Sequence, residues 1–116
     1  MEYRTMIAID NNKIIMSDRT IEFNEKVLEA VEIDNKLIVV FETNRDDGFD
    51  NVYCYKYDKT ELWRIQPAPK EIAGTARTTY VGVDKENGSC RVVDFFGRRF
   101  KVNILSGEIL SKDIVK

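Results

Sequence analysis

A chain of 116 residues, 43% hydrophobic and 33% charged, can build one core without metal or disulfide staples. Its 18 basic and 20 acidic residues leave a formal charge of −2, too even a balance for the concentrated positive surface that nucleic acid demands. The absence of histidine removes the commonest general base and every Ser-His or Cys-His nucleophile pair, so a non-catalytic protein is expected.

At the N-terminus no basic segment precedes an apolar one, so no secretory signal is read and a cytoplasmic location is expected. Residues 2–10 read as a first strand with Tyr3, Thr5, Ile7 and Ile9 on one face. Asn11-Asn12 supplies a turn, because asparagine tolerates positive φ. A second strand begins at 13–16, is interrupted by Ser17-Asp18-Arg19 and resumes at 20–23. Residues 24–33 fit two descriptions. Asn24 could cap a helix with Val27, Leu28 and Val31 on one stripe, but Val27, Val31 and Ile33 also share a strand face. The Asp34-Asn35 turn that follows favours the strand.

Residues 37–41, Leu-Ile-Val-Val-Phe, are uninterrupted and mostly β-branched, the pattern of a central strand buried on both faces. This is also the longest apolar run, far short of the roughly 20 residues of a membrane-spanning helix, so no membrane association is expected. A polar loop spans 43–51. Tyr53, Tyr55 and Tyr57 then alternate with Val52, Cys54 and Lys56, and a turn at Asp58-Lys59-Thr60 leads to a returning strand at 62–65. Pro67 and Pro69 open an irregular connection over 67–75, a loop or short helical turn and the natural hinge between halves 1–66 and 76–116. Strands follow at 78–84 and 89–96, separated by a turn at 84–88. Phe96-Gly97-Arg98 reverses the chain into a strand with Phe100, Val102 and Ile104 inward and Arg99, Lys101 and Asn103 outward. Ser106-Gly107 then turns it into a last strand at 108–115. The sum is a single all-β domain, an antiparallel meander of nine or ten short strands.

Residues 51–65 and 98–112 share one plan, strand, turn and strand, at a spacing of about 47 residues, with Glu108 where Glu61 stands. The stretches Tyr57-Asp58-Lys59-Thr60-Glu61-Leu62-Trp63 and Leu105-Ser106-Gly107-Glu108-Ile109-Leu110 resemble blades of quinoprotein-type β-propellers, with Leu110 where the first copy has Trp63. The resemblance covers the chain from Asn51 onward. It implies blade-like meanders forming a sandwich or a partial propeller or barrel. A closed propeller needs about four blades or more, so no cofactor-binding propeller is implied. The whole chain also resembles small bacterial all-β proteins of similar length, some of which are immunity proteins that mask a toxin domain.

The acidic loop Asp46-Asp47-Gly48-Phe49-Asp50-Asn51 has oxygen ligands for a cation but not the spacing of an EF-hand, so it reads as a solvated loop or a patch for a basic partner. The tyrosine face of Tyr53, Tyr55 and Tyr57 fits a packed core row and an interface equally well. Arg91, Arg98, Arg99 and Lys101, interleaved with Phe95, Phe96 and Phe100, do not make an RNA-stacking platform. Phe100 falls on the face opposite Arg99 and Lys101. Cys54 and Cys90 sit in apolar strands and read as buried free thiols, and without a CxxC pair no zinc site or other cofactor is expected. The expected function is therefore a protein-binding module, in its most concrete form an immunity-type protein. Its predicted anchors for a basic protein partner are Tyr53, Tyr55, Tyr57, Asp46, Asp47 and Asp50. The alternatives are a small-molecule binder or carboxylate hydrolase with a pocket between the halves, and a self-associating structural protein.

Overall fold

The computed structural model describes residues 7–43 and 49–113. Among these, three antiparallel sheets follow one another along the chain, each a meander whose neighbouring strands are consecutive in sequence. The first contains β1 (Ala8–Asp10), β2 (Lys13–Ile15) and β3 (Thr20–Glu22). The second contains β4 (Val27–Ile33), β5 (Lys36–Phe41), β6 (Val52–Tyr55) and β7 (Glu61–Arg64). The third contains β8 (Tyr80–Glu86), β9 (Ser89–Asp94), β10 (Arg99–Val102) and β11 (Ile109–Asp113).

Eleven strands among the described residues exceed the nine or ten expected. The excess arises at Ser17-Asp18, where the chain reverses instead of resuming one strand, and the Met16 N–H donates to the Arg19 carbonyl at 2.8 Å. Residues 27–33 are strand, so the helical alternative falls. The reason lies in the next two residues: Asp34 and Asn35 both take left-handed φ (51° and 60°), the two-residue hairpin turn whose twist matches its strands. Asn87-Gly88 does the same for β8 and β9, so the turn expected over 84–88 shrinks to two residues.

Successive side chains of β5 alternate between two cores. Leu37, Val39 and Phe41 join one core with Ile14, Met16, Ile21, Phe23 and Val27. Ile38 and Val40 join the other with Val52, Cys54, Trp63, Val92, Phe100, Val102 and Ile109. The second sheet thus carries a core on each face, and Leu37, Ile38, Val39 and Val40 are all 0% exposed. Burying each such side chain contributes about 1.5–3 kcal/mol, which makes this strand the energetic centre of the fold.

The sequence echo falls on the third and fourth strands of the second and third sheets. Its alignment needs one correction. Trp63 lies opposite Cys54 and Ile109 lies opposite Val102, so Ile109 occupies the place of Trp63, while Leu110 is exposed. Register irregularities after Cys54 and after Lys101 slip the two hairpins differently, and a one-residue slip moves a side chain to the opposite face.

The connection over 67–75 contains one short helix, α1 (Lys70–Ala73). Ala68, Ile72 and Ala73 pack against the core between the second and third sheets. Arg98 donates to the carbonyls of Ala73 (2.6 Å) and Ala76 (2.8 Å) and to the buried Asp94 carboxylate (2.8 Å). The segment read as a hinge is therefore fastened to the β9–β10 turn. Ile104, expected in strand β10, lies in the turn beyond it and is partly buried.

Cys54 and Cys90 are free and buried in the same core. Burial pushes the Cys54 thiol up to about 11 and the Cys90 thiol up to about 12, the latter also repelled by Cys54 and Asp84. Both are protonated and sheltered, hence poor nucleophiles. A disulfide-exchange reagent at pH 8 is expected to label neither in the folded protein and both in urea. Labelling of the folded protein within minutes would show that the two sheets part readily.

Candidate partner-binding groove

Phe23 follows β3 and is held in place from both sides. Its N–H donates to the Asn12 carbonyl (2.9 Å), and Asn12 Nδ2 donates to its carbonyl (2.7 Å). Phe41 ends β5. Register pairs Val39 with Tyr53 and Leu37 with Tyr55, so both tyrosines project from β6 on the face that looks toward the first sheet. The four rings converge: centroids lie 5.3 Å apart for Phe23–Phe41, 5.0 Å for Phe23–Tyr55, 5.5 Å for Phe41–Tyr53 and 6.1 Å for Tyr53–Tyr55.

The first sheet has three-residue strands and packs mainly on β4. It therefore does not cover β6 fully, and an open groove of about 320 Å³ remains. Phe23 and Phe41 are its buried floor, Tyr53 and Tyr55 its half-buried wall, and Asn24, Glu25, Lys59 and Glu61 its exposed rim. Burial, then Glu61, Tyr53 and Glu25, push the Tyr55 hydroxyl above its ordinary value, so it stays a protonated donor. Lys59 Nζ stands 5.7 Å from the Phe23 ring centroid.

The predicted anchors divide. Tyr53 and Tyr55 share the groove, packed against the core on one side and partly exposed on the other. Tyr57 lies beyond β6 and acts as a strut. Its hydroxyl donates to the Glu32 carboxylate, and the Arg19 guanidinium sits 4.7 Å from its ring centroid. Asp50 is turned away from the groove: its carboxylate accepts from Arg77 (2.7 Å) and its carbonyl from Arg64 (2.7 Å). Asp46 and Asp47 lie outside the described residues.

Three of the four cations in the basic concentration are paired with carboxylates. Arg91 meets Glu86 (2.7 Å), Arg98 meets Asp94 (2.8 Å) and Arg99 meets Asp84 (3.1 Å). Among the described residues no group of three or more acidic or cysteine side chains could hold a metal ion, and no helix is long and apolar enough to cross a membrane. Beside Asp50, Asp94, Arg77 and Arg98 lies a cavity of only about 20 Å³, room for one water.

Phe23, Phe41, Glu25, Lys59 and Glu61 were not singled out as site residues by the sequence. Only Glu61 carried a signal, through its place in the repeat. What the groove offers chemically is π faces, two hydroxyls, two carboxylates and one ammonium. A search of curated proteins finds no match to this chain. The sequence pattern of the family described as "Domain of unknown function (DUF7957)" matches residues 4–114, and the chain belongs to that family.

Proposed function

We propose that this chain is a non-catalytic protein-binding module that docks a protein partner over Tyr53 and Tyr55, with immunity-type masking of the partner as its concrete form. The observation that carries this reading is the open aromatic groove: a rigid sheet face whose large rings stay accessible because the neighbouring sheet is too narrow to cover them. Tyrosine is enriched at interface centres because its ring buries area while its hydroxyl keeps a polar contact. The pocket alternative has less support, since the cavity near the 67–75 connection is too small for a substrate.

The test is capture by the immobilised protein beside a Tyr53→Ala/Tyr55→Ala variant matched for folding. The captured protein is then purified and titrated against both. Anchors at an interface centre are each worth about 2 kcal/mol, so the variant is expected to bind at least about 30-fold more weakly. Equal affinity for both proteins would place the interface elsewhere.

A further inference from the structure

We propose that the groove is a cation site which receives an arginine side chain of the protein partner, and that Lys59 is its internal competitor. This rests on the binding-module reading and adds the chemistry of recognition. Aromatic faces are negative, and a cation within about 6 Å of a ring centroid is attracted to them. Here four rings meet, with the planes of Tyr53 and Tyr55 only 17° apart. The rim adds two carboxylates, Glu25 and Glu61, and neither holds an ion pair among the described residues. Against them stands one ammonium, that of Lys59. Among the lining residues carboxylates therefore outnumber cations by one, with the Arg64 guanidinium lying outside that lining over the Tyr53 ring.

Lys59 is itself informative. Its φ of 72° lies in the left-handed region, where glycine is the unstrained choice. The turn around it is held by Asp58, whose carboxylate accepts from the Thr60 N–H at 2.9 Å, so the lysine is not needed to make the turn. It instead projects a cation over Phe23. Arginine is the preferred guest because a planar guanidinium can stack on a ring and pair with a carboxylate together. The protein already places guanidinium groups over rings, among them Arg64 5.3 Å from the Tyr53 centroid and Arg19 4.7 Å from that of Tyr57. The groove is open along its rim, so a side chain can enter while the backbone bearing it stays on the partner.

The probe is N-acetyl-arginine methylamide, with the citrulline analogue as its neutral isostere, titrated into isotope-labelled protein and followed by amide chemical shifts. The arginine probe is expected to shift amides around Tyr53, Tyr55 and Phe23 saturably, and the citrulline probe to bind about 10-fold more weakly. Lys59→Gly removes the competitor and is expected to tighten arginine binding several-fold. Lys59→Gln, which keeps a polar side chain without the charge, should do the same. Glu25→Gln/Glu61→Gln should weaken it about 10-fold. Equal binding of the two probes, no response to arginine, or affinity unchanged by both Lys59 variants would overturn the proposal. Loss of partner capture on Tyr53→Ala/Tyr55→Ala, with no arginine response in the native protein, would keep the binding module and discard the cation site.

Discussion

Asn51→Ala is expected to lower the free energy of unfolding by about 3–4 kcal/mol, a large share of the roughly 5–15 kcal/mol available to a domain. Asn51 is 4% exposed and sits between β5 and β6, where the chain re-enters the sheet. Its Nδ2 donates to the carbonyls of Phe41 (2.7 Å) and Tyr80 (2.8 Å), and its Oδ1 accepts from the Tyr80 N–H (2.8 Å). One side chain thus ties the end of β5 to the start of β8 and so joins the second sheet to the third. Truncation leaves one buried donor and two buried acceptors, each costing about 1–3 kcal/mol when nothing replaces the partner. Asn51→Asp should cost at least as much, because a carboxylate would face the same two carbonyls. Trp63, the single tryptophan and 8% exposed, reports unfolding in urea by its fluorescence. A loss below about 1 kcal/mol would mean that water or a backbone shift satisfies the three groups.

The parts of this fold legible in the sequence are those fixed by local chemistry. Five consecutive apolar residues leave β5 no polar face, so burial on both sides followed from the residues alone. Asp34-Asn35 and Asn87-Gly88 are residue pairs that accept left-handed φ, and both became hairpin turns. The division into three sheets was hidden, because which strand faces meet across layers depends on contacts far apart in sequence. The echo misaligned Trp63 with Leu110 for a related reason: a bulge is invisible in a pattern that counts residues. Asn51 looked like any polar loop residue, and nothing local marks it as buried. The groove was half legible. The tyrosine row was plain, but its opening depends on the narrowness of the first sheet, and Phe23 and Phe41 looked like ordinary core. Asp50 seemed to belong with the tyrosines by proximity in sequence, yet Arg77 draws its carboxylate away.

Gly107→Ala tests the other join between the second and third sheets and is expected to cost about 3 kcal/mol. Gly107 has φ 76°, and an added Cβ would lie 2.6 Å from Trp63 Cε3, 3.0 Å from Cδ2 and 3.1 Å from the Arg64 carbonyl. Neither side can yield cheaply. Trp63 Nε1 donates to the Ile104 carbonyl (2.8 Å), and the Gly107 carbonyl accepts from the Gln66 N–H (2.9 Å). Left-handed strain accounts for about 1 kcal/mol and overpacking for about 2 more. Gly97→Ala separates the two terms: at φ 84° with nothing within 4 Å of its added Cβ, it should cost only the strain. A second separation comes from Trp63→Leu. If the ring is what the methyl meets, the double variant should be less destabilised than the two single losses added together, by about 1–2 kcal/mol. Equal losses for Gly107→Ala and Gly97→Ala would show that the β10–β11 turn swings clear of the ring, and that Trp63 holds the third sheet less tightly than its hydrogen bond implies.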